Sequence, residues 1–173
     1  RKELLTALGI PFTAVSSEYE EQFDDRPPVE QAKHLAEMKV RTLLQHRPDL
    51  SGWIILGADT CIDLAGRILG KPADRSEARG FLESMSGTSH RVITGLALWD
   101  GKENSMLVRA ETTTIHVARL DAAEIEWYLD TGEWEGAAGG YRIQGRGSFF
   151  VERIEGCFFN VVGLPIRLFY GML

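Results

Sequence analysis

The stretch from Trp53 to Pro72, WIILGADTCIDLAGRILGKP, constrains the fold more than any other part of this chain. It opens with the apolar run Trp53-Ile54-Ile55-Leu56, bounded by Gly57. A run of that length and β-rich composition predicts a strand buried on both faces. The strand is expected to stop at Ala58-Asp59-Thr60. A carboxylate at the end of a buried strand is costly unless it is paired, hydrogen-bonded or bound to a metal. Ligands of open α/β sheets sit beyond the carboxyl ends of strands, which makes Asp59 the first candidate functional residue. The chain then alternates through Ile62, Asp63 and Leu64, turns at Ala65-Gly66 and returns through Ile68 and Leu69 to Gly70-Lys71-Pro72. This pattern predicts a hairpin that brings Lys71 back to the level of Asp59 and Thr60. An acid and a cation facing each other beside a glycine suit a metal-bound phosphate.

At 173 residues the chain is one domain or two tightly joined lobes. A chain of this size buries about 70% of its unfolded surface and needs no staples. The net charge of −6 excludes a general nucleic-acid binder, which would carry a basic stripe, but not a small anionic ligand held by a few placed cations. Cys61 and Cys157 match no metal spacing and read as buried thiols in a reducing cytosol. No apolar stretch is long enough to span a membrane, and none reads as a secretory signal.

Leu4, Leu5 and Leu8 predict a short opening helix stopped by Gly9. A short strand is expected over Phe12 to Val15, followed by an acidic loop from Ser16 to Arg26. Pro27-Pro28 opens a helix running from Val29 to about His46. Its apolar stripe is Val29, Ala32, Leu35, Ala36, Val40 and Leu43, and Lys39 falls in the middle of it. That lysine either snorkels past the core edge or reaches from the buried face into a cleft. Asp74 caps a helix that carries Ala78, Phe81, Leu82 and Met85 inward. Ser86 to His90 reads as a turn, Arg91 to Trp99 as a strand, Asp100-Gly101 as a hairpin turn and Met106 to Val117 as a second long strand. Asp121 to Glu124 caps a further helix, with Ile125, Tyr128 and Leu129 inward. The glycine-rich segment 132–147 suits close approach to a ligand, and Trp134, Tyr141 and Ile143 anchor it. Phe149 to Ile154 and Cys157 to Val162 are expected to form a second hairpin about Glu155-Gly156, before a closing helix at Pro165.

Several chemistries are absent. There is no G-x-S-x-G elbow for a serine hydrolase. The four histidines, His34, His46, His90 and His116, have no zinc spacing. Neither a P-loop nor a dinucleotide fingerprint occurs. What remains is an acid, lysines and glycine-rich loops, which suit metal-assisted phosphate chemistry.

Taken in order, RKELL, LAEMK, GADT, GKP, SGTSHRVITG, GEW, GGYRIQG and NVVGLP resemble the Maf family of nucleotide pyrophosphatases over essentially the whole chain. The resemblance implies a single domain over residues 1–173 with a mixed α/β fold: a long central sheet, flanking helices and two lobes around a cleft, as in inosine-triphosphate pyrophosphatases. It also implies that the family's first strand and most of its S-x-S-P-R-R loop lie outside these residues. The activity implied is hydrolysis of a nucleoside triphosphate to the monophosphate and pyrophosphate, with a divalent metal, Mg2+ or Mn2+. Ile143-Gln144-Gly145 resembles the branch acting on dTTP and UTP.

By this resemblance Asp59 is the general base or a metal ligand, and Glu21, rather than neighbouring Glu20, is a second metal ligand. Arg1, Lys39, Thr60, Lys71 and Gln144 bind the substrate. Arg142 stands where the family has a glycine and is expected to replace a lysine absent at Ala137. A cytoplasmic homodimer is expected, with no nucleic-acid or membrane partner. A nucleotide-binding regulator of cell division with little turnover is the alternative from another class, and an inosine-triphosphate-type pyrophosphatase the alternative enzyme.

Overall fold

The computed structural model describes all 173 residues. Its centre is a five-stranded antiparallel sheet of β1 (Ile54–Leu64), β2 (Arg67–Leu69), β3 (Ser89–Asp100), β4 (Ser105–Val117) and β5 (Val151–Glu155), in the order β2-β1-β3-β4-β5. Six helices surround it: α1 (Lys2–Ala7), α2 (Pro28–His46), α3 (Arg75–Met85), α4 (Ala122–Asp130), α5 (Phe158–Val162) and α6 (Ile166–Tyr170). This is the mixed α/β class expected.

Strand β1 departs from the expected boundaries. It does not stop at Ala58 but runs unbroken through Asp59 to Leu64. Asp59 therefore lies in mid-strand, opposite Gly95 of β3, and not at a carboxyl end. Nor is the Trp53-Ile54 start buried; both residues are exposed. The hairpin itself is as expected, with Ile62 opposite Leu69 and Leu64 opposite Arg67.

Alternation along β1 and β3 divides the molecule into layers. Cys61, Ile93 and Ala97 pack against α2 through Ala32, Ala36 and Val40. On the other face the core is split. Ile62, Val92 and Ile115 pack with α3 and α4 in one cluster, while Ala58, Leu96 and Leu98 pack with Leu164, Phe169 and Met172 in another. A cleft opens beside Thr60, lined by Ile62, Val92, Tyr141 and Ile143 of the first cluster.

Helix α2 begins at Pro28, whose fixed φ suits the first helical turn, and buries the expected stripe from Ala32 to Leu43. It lies unusually close to the sheet. A Cβ on Gly95 would fall 2.1 Å from the Ala32 carbonyl oxygen, and one on Gly57 would fall 2.6 Å from that of Ala36. Two strand glycines thus set the height of α2. Asp74 caps α3 by accepting from Glu77 N at 2.8 Å, and Asp121 with Glu124 forms a reciprocal capping box on α4.

Three other expectations fail. Phe12 to Val15 forms no strand. Residues 158–162 form α5 rather than the return of a hairpin, because Gly163 closes this helix in the left-handed region at φ 105° and the chain leaves the sheet. His90 is not a turn residue: it lies within β3, is fully buried and shares a 2.9 Å hydrogen bond between its Nε2 and the Tyr141 hydroxyl.

His90 Nδ1 has no partner, and burial pushes the imidazole down to about 4. The unfolded chain, with an ordinary histidine near 6.5, therefore binds a proton that the folded protein refuses. Stability contributed by neutral His90 is complete above that value and is lost as pH falls towards 4. Between pH 6.5 and 5 the loss amounts to about 2 kcal/mol. Urea melts at several pH values are expected to show this slope in the parent and a shallower one in His90→Gln. Equal slopes would remove His90 as the source.

Candidate active site

A cleft of about 410 Å3 lies at the outer edge of β1. Strand β2 pairs with β1 only over Ile62 to Leu64, so the edge beyond is open to residues from other elements. Every candidate from the sequence reading lines this cleft: Arg1, Glu21, Lys39, Asp59, Thr60, Lys71 and Gln144.

Asp59, on the α2 face of β1, is buried. Its carboxylate accepts from Lys39 Nζ at 2.5 Å, and the same ammonium donates to Glu21 Oε1 at 2.7 Å. Lys39 therefore does not snorkel to solvent; it reaches off the buried face of α2 and stands between two acids. Burial favours the neutral acid of Glu21, but the Lys39 hydrogen bond and the charges of Lys39, Lys71 and Arg1 outweigh it and hold the carboxyl below its ordinary value. Lys39 bonds Glu21 and not Glu20, so Glu21 is the acid that joins the pair. Lys71 reaches the cleft directly after the β1–β2 hairpin, at the level expected.

Arg1 enters from the start of α1. Its Nε donates to the Gly163 carbonyl at 2.8 Å and its Nη2 to Thr60 Oγ1 at 3.1 Å. A side chain at Gly163 would crowd this contact, its Cβ lying 3.3 Å from Thr60 Oγ1. Gln144 is exposed and lines the same cleft. The segment carrying it is braced rather than slack. Arg142 Nε and Nη2 donate to the carbonyls of Glu133 and Glu135, at 2.9 and 2.7 Å, and Arg146 N donates to Glu133 Oε2 at 2.8 Å. Arg142 lines the cleft, but its guanidinium is committed in part to its own loop.

One wall of the cleft is apolar, formed by Ile62, Val92, Ala137, Ile143, Val161 and Val162. The other carries two acids and several cations. Such a cleft fits a ligand with an apolar or aromatic part and a strongly anionic part. Cys61, adjacent on β1, is no nucleophile: burial, with Asp59 and Asp63 nearby, pushes its thiol up to about 12. Sequence reasoning missed Thr94, Asn160 and Gly163, which stand behind Thr60 and Arg1. Thr94 carried a signal, a polar residue inside the apolar strand run Val92 to Ala97.

The fold and cleft define an α/β protein built to hold a phosphate-bearing ligand. The chain belongs to the Maf family, whose model, described as Maf-like protein, matches residues 1–173. A curated dTTP/UTP pyrophosphatase of Syntrophomonas wolfei is 41% identical over all of this chain and 90% of its own length. That of Symbiobacterium thermophilum is 43% identical over all of this chain and 87% of its own. A third, from Alkaliphilus oremlandii, is 44% identical over 96% of this chain and 85% of its own.

Proposed function

We propose that this chain is a nucleoside triphosphate pyrophosphatase acting on dTTP and UTP, releasing the monophosphate and pyrophosphate. The observation that carries the reading is the Glu21–Lys39–Asp59 arrangement at 2.7 and 2.5 Å in a cleft that also holds Arg1 and Lys71. The names of the full-length relatives support it.

Each residue has a chemical task. Asp59 accepts the proton of the attacking water. Lys39, Lys71 and Arg1 neutralise charge on the phosphate oxygens, which grows on the departing pyrophosphate. Gln144 contacts the base or the phosphates, and the apolar wall takes up the base and sugar.

The acids also suit a hard cation. Glu21 and Asp59 each give one carboxylate oxygen to Lys39 and keep the second for a cation, and no group of three or more His, Cys, Asp or Glu side chains forms a closed cage. Mg2+ binds through one or two carboxylates, keeps several waters and shares the substrate's phosphates. Glu21 and Asp59 would hold Mg2+ or Mn2+, and the ion when bound supplies further charge neutralisation to the triphosphate. The reading extends to a cytoplasmic homodimer acting on free nucleotides, without nucleic-acid or membrane partners. The net charge of −6 supports the lack of a nucleic-acid partner, and no helix is long and apolar enough to cross a membrane.

The test is pyrophosphate release from a panel of nucleoside triphosphates, with and without Mg2+. Release from dTTP and UTP that is lost on chelation is expected. Nucleotide binding without pyrophosphate release would overturn the reading in favour of a regulator. Preference for inosine triphosphate would reassign the substrate.

A further inference from the structure

A chain of hydroxyls runs from the cleft into the core. Arg1 Nη2 donates to Thr60 Oγ1 at 3.1 Å. Thr60 Oγ1 lies 2.9 Å from Thr94 Oγ1, and Thr94 Oγ1 lies 3.0 Å from the Asn160 carbonyl oxygen. Thr94 is fully buried, and no water can substitute for a lost partner without rearrangement.

The protons in this chain have one arrangement that satisfies every contact. The Asn160 carbonyl can only accept, so the single hydroxyl proton of Thr94 goes to it. Thr94 then has only lone pairs to offer Thr60, so Thr60 must donate inward. Reversing the bond would set the Thr94 and Asn160 oxygens lone pair to lone pair at 3.0 Å in a buried site, where an unmade hydrogen bond is costly. Thr60 therefore turns lone pairs, not a proton, towards the cleft. It accepts from a guanidinium and cannot donate to a phosphate oxygen.

We propose that Thr94 is a positioning residue for Arg1, and that Thr60 serves the site by orienting that guanidinium rather than by binding substrate itself. The Gly163 carbonyl holds the Nε side of the same group at 2.8 Å. Two of the five N–H donors of Arg1 are thus engaged, and three remain for an anion. The Gly163 amide also donates to the Asn160 carbonyl, at 2.9 Å. Both anchors of Arg1 therefore meet at that carbonyl, and a shift at Thr94 reaches the guanidinium through Thr60. The proposal deepens the triphosphate reading and rests on it.

The experiment uses the full chain and its Thr94→Val, Thr94→Ser and Thr60→Val variants, each with Arg1 intact and with Arg1→Ala. Two quantities are read: pyrophosphate release from dTTP, and affinity for a non-hydrolysable α,β-methylene dTTP by calorimetry. Thr94→Val and Thr60→Val are each expected to weaken analogue binding and raise KM about tenfold, with kcat within about threefold. Thr94→Ser restores both values. In the Arg1→Ala background neither valine has a further effect, which is the signature of action through Arg1. Thr60 is only half-buried, so Thr60→Val keeps the test valid if Thr94→Val fails to fold. The proposal is overturned if either valine variant binds as the parent does, or if its loss persists without Arg1. A parent that binds the analogue but releases no pyrophosphate sinks the hydrolytic reading alone, since the binding cycle still reads the Arg1 placement. A parent that neither binds nor cleaves overturns both.

Discussion

Asp59→Asn is expected to lower kcat by about a thousandfold or more while leaving the fold in place. General-base removal alone is worth roughly 10²–10⁴ in rate. The substitution is nearly isosteric, and the amide oxygen can still accept from Lys39, which now donates to Asp59 at 2.5 Å. Breaking a buried ion pair by deleting one partner normally costs about 3–5 kcal/mol, because a charge is left uncompensated. Here Lys39 keeps Glu21 at 2.7 Å, so its charge is not orphaned and the loss of stability should be well below that range. KM is expected to stay level or fall, because an anion facing the triphosphate has been removed. A collapse of kcat with unchanged KM is what loss of an interaction made only in the transition state produces. Steady-state kinetics and a thermal melt on the same preparation decide the matter. Retained turnover would remove Asp59 from the chemistry, and loss of folding would make its role structural.

Asp59 also shows where sequence reading succeeds and where it fails. That it has a partner was legible, because a carboxylate inside an apolar run demands one. Its place in the strand was not. Gly57 and Asp59 look like strand terminators, yet β1 runs through both. The glycine is there for α2, which comes within contact of its backbone, and the acid is satisfied by Lys39 from that helix. Both reasons lie in a neighbour far away in sequence. The helices that could be read carry their instructions locally: Pro27-Pro28 before α2, Asp74 before α3, Asp121 and Glu124 around the start of α4. The α5 segment, FFNVV, is a β-rich pentamer, and its helical state follows from its setting. Asn160 Nδ2 donates to the Val92 carbonyl and to Thr113 Oγ1, at 2.9 Å each, and Gly163 ends the helix. Local preference gave way there to tertiary contacts. The same holds for the site. Types of residue pointed to Asp59, Lys39 and Lys71, but Thr94 acquires its meaning only once Thr60 is opposite it in the β1–β3 register.

Gly95→Ala is expected to be the most damaging single-methyl change in the molecule. The added Cβ would meet three backbone atoms of α2: Ala32 O at 2.1 Å, Ala32 C at 2.4 Å and Lys33 N at 2.7 Å. A flexible side chain could swing away from such a contact; helix backbone cannot. Either α2 lifts from the sheet or β3 bends, and both disturb the packing of Ala32, Ala36 and Val40 on Ile93 and Ala97. Overpacking a core commonly costs about 1–3 kcal/mol, and a clash with backbone belongs at or above the top of that range. For a chain of this length that is a fall in Tm of roughly 6–12 °C. Lifting α2 also carries Lys39 away from Asp59, so activity should fall further than the melt alone explains. Gly80→Ala is the control. Gly80 lies within α3, and a Cβ there meets nothing within 4 Å. Replacing a helical glycine by alanine in open space stabilises by about 0.5–1 kcal/mol, so this variant should melt slightly higher and keep full activity. Opposite signs from the same chemical change would show that close approach of α2, and not the strand's preference for or against glycine, selects the residue at position 95. Matching small effects at both sites would mean that the helix rides higher on the sheet than the Lys39–Asp59 contact requires.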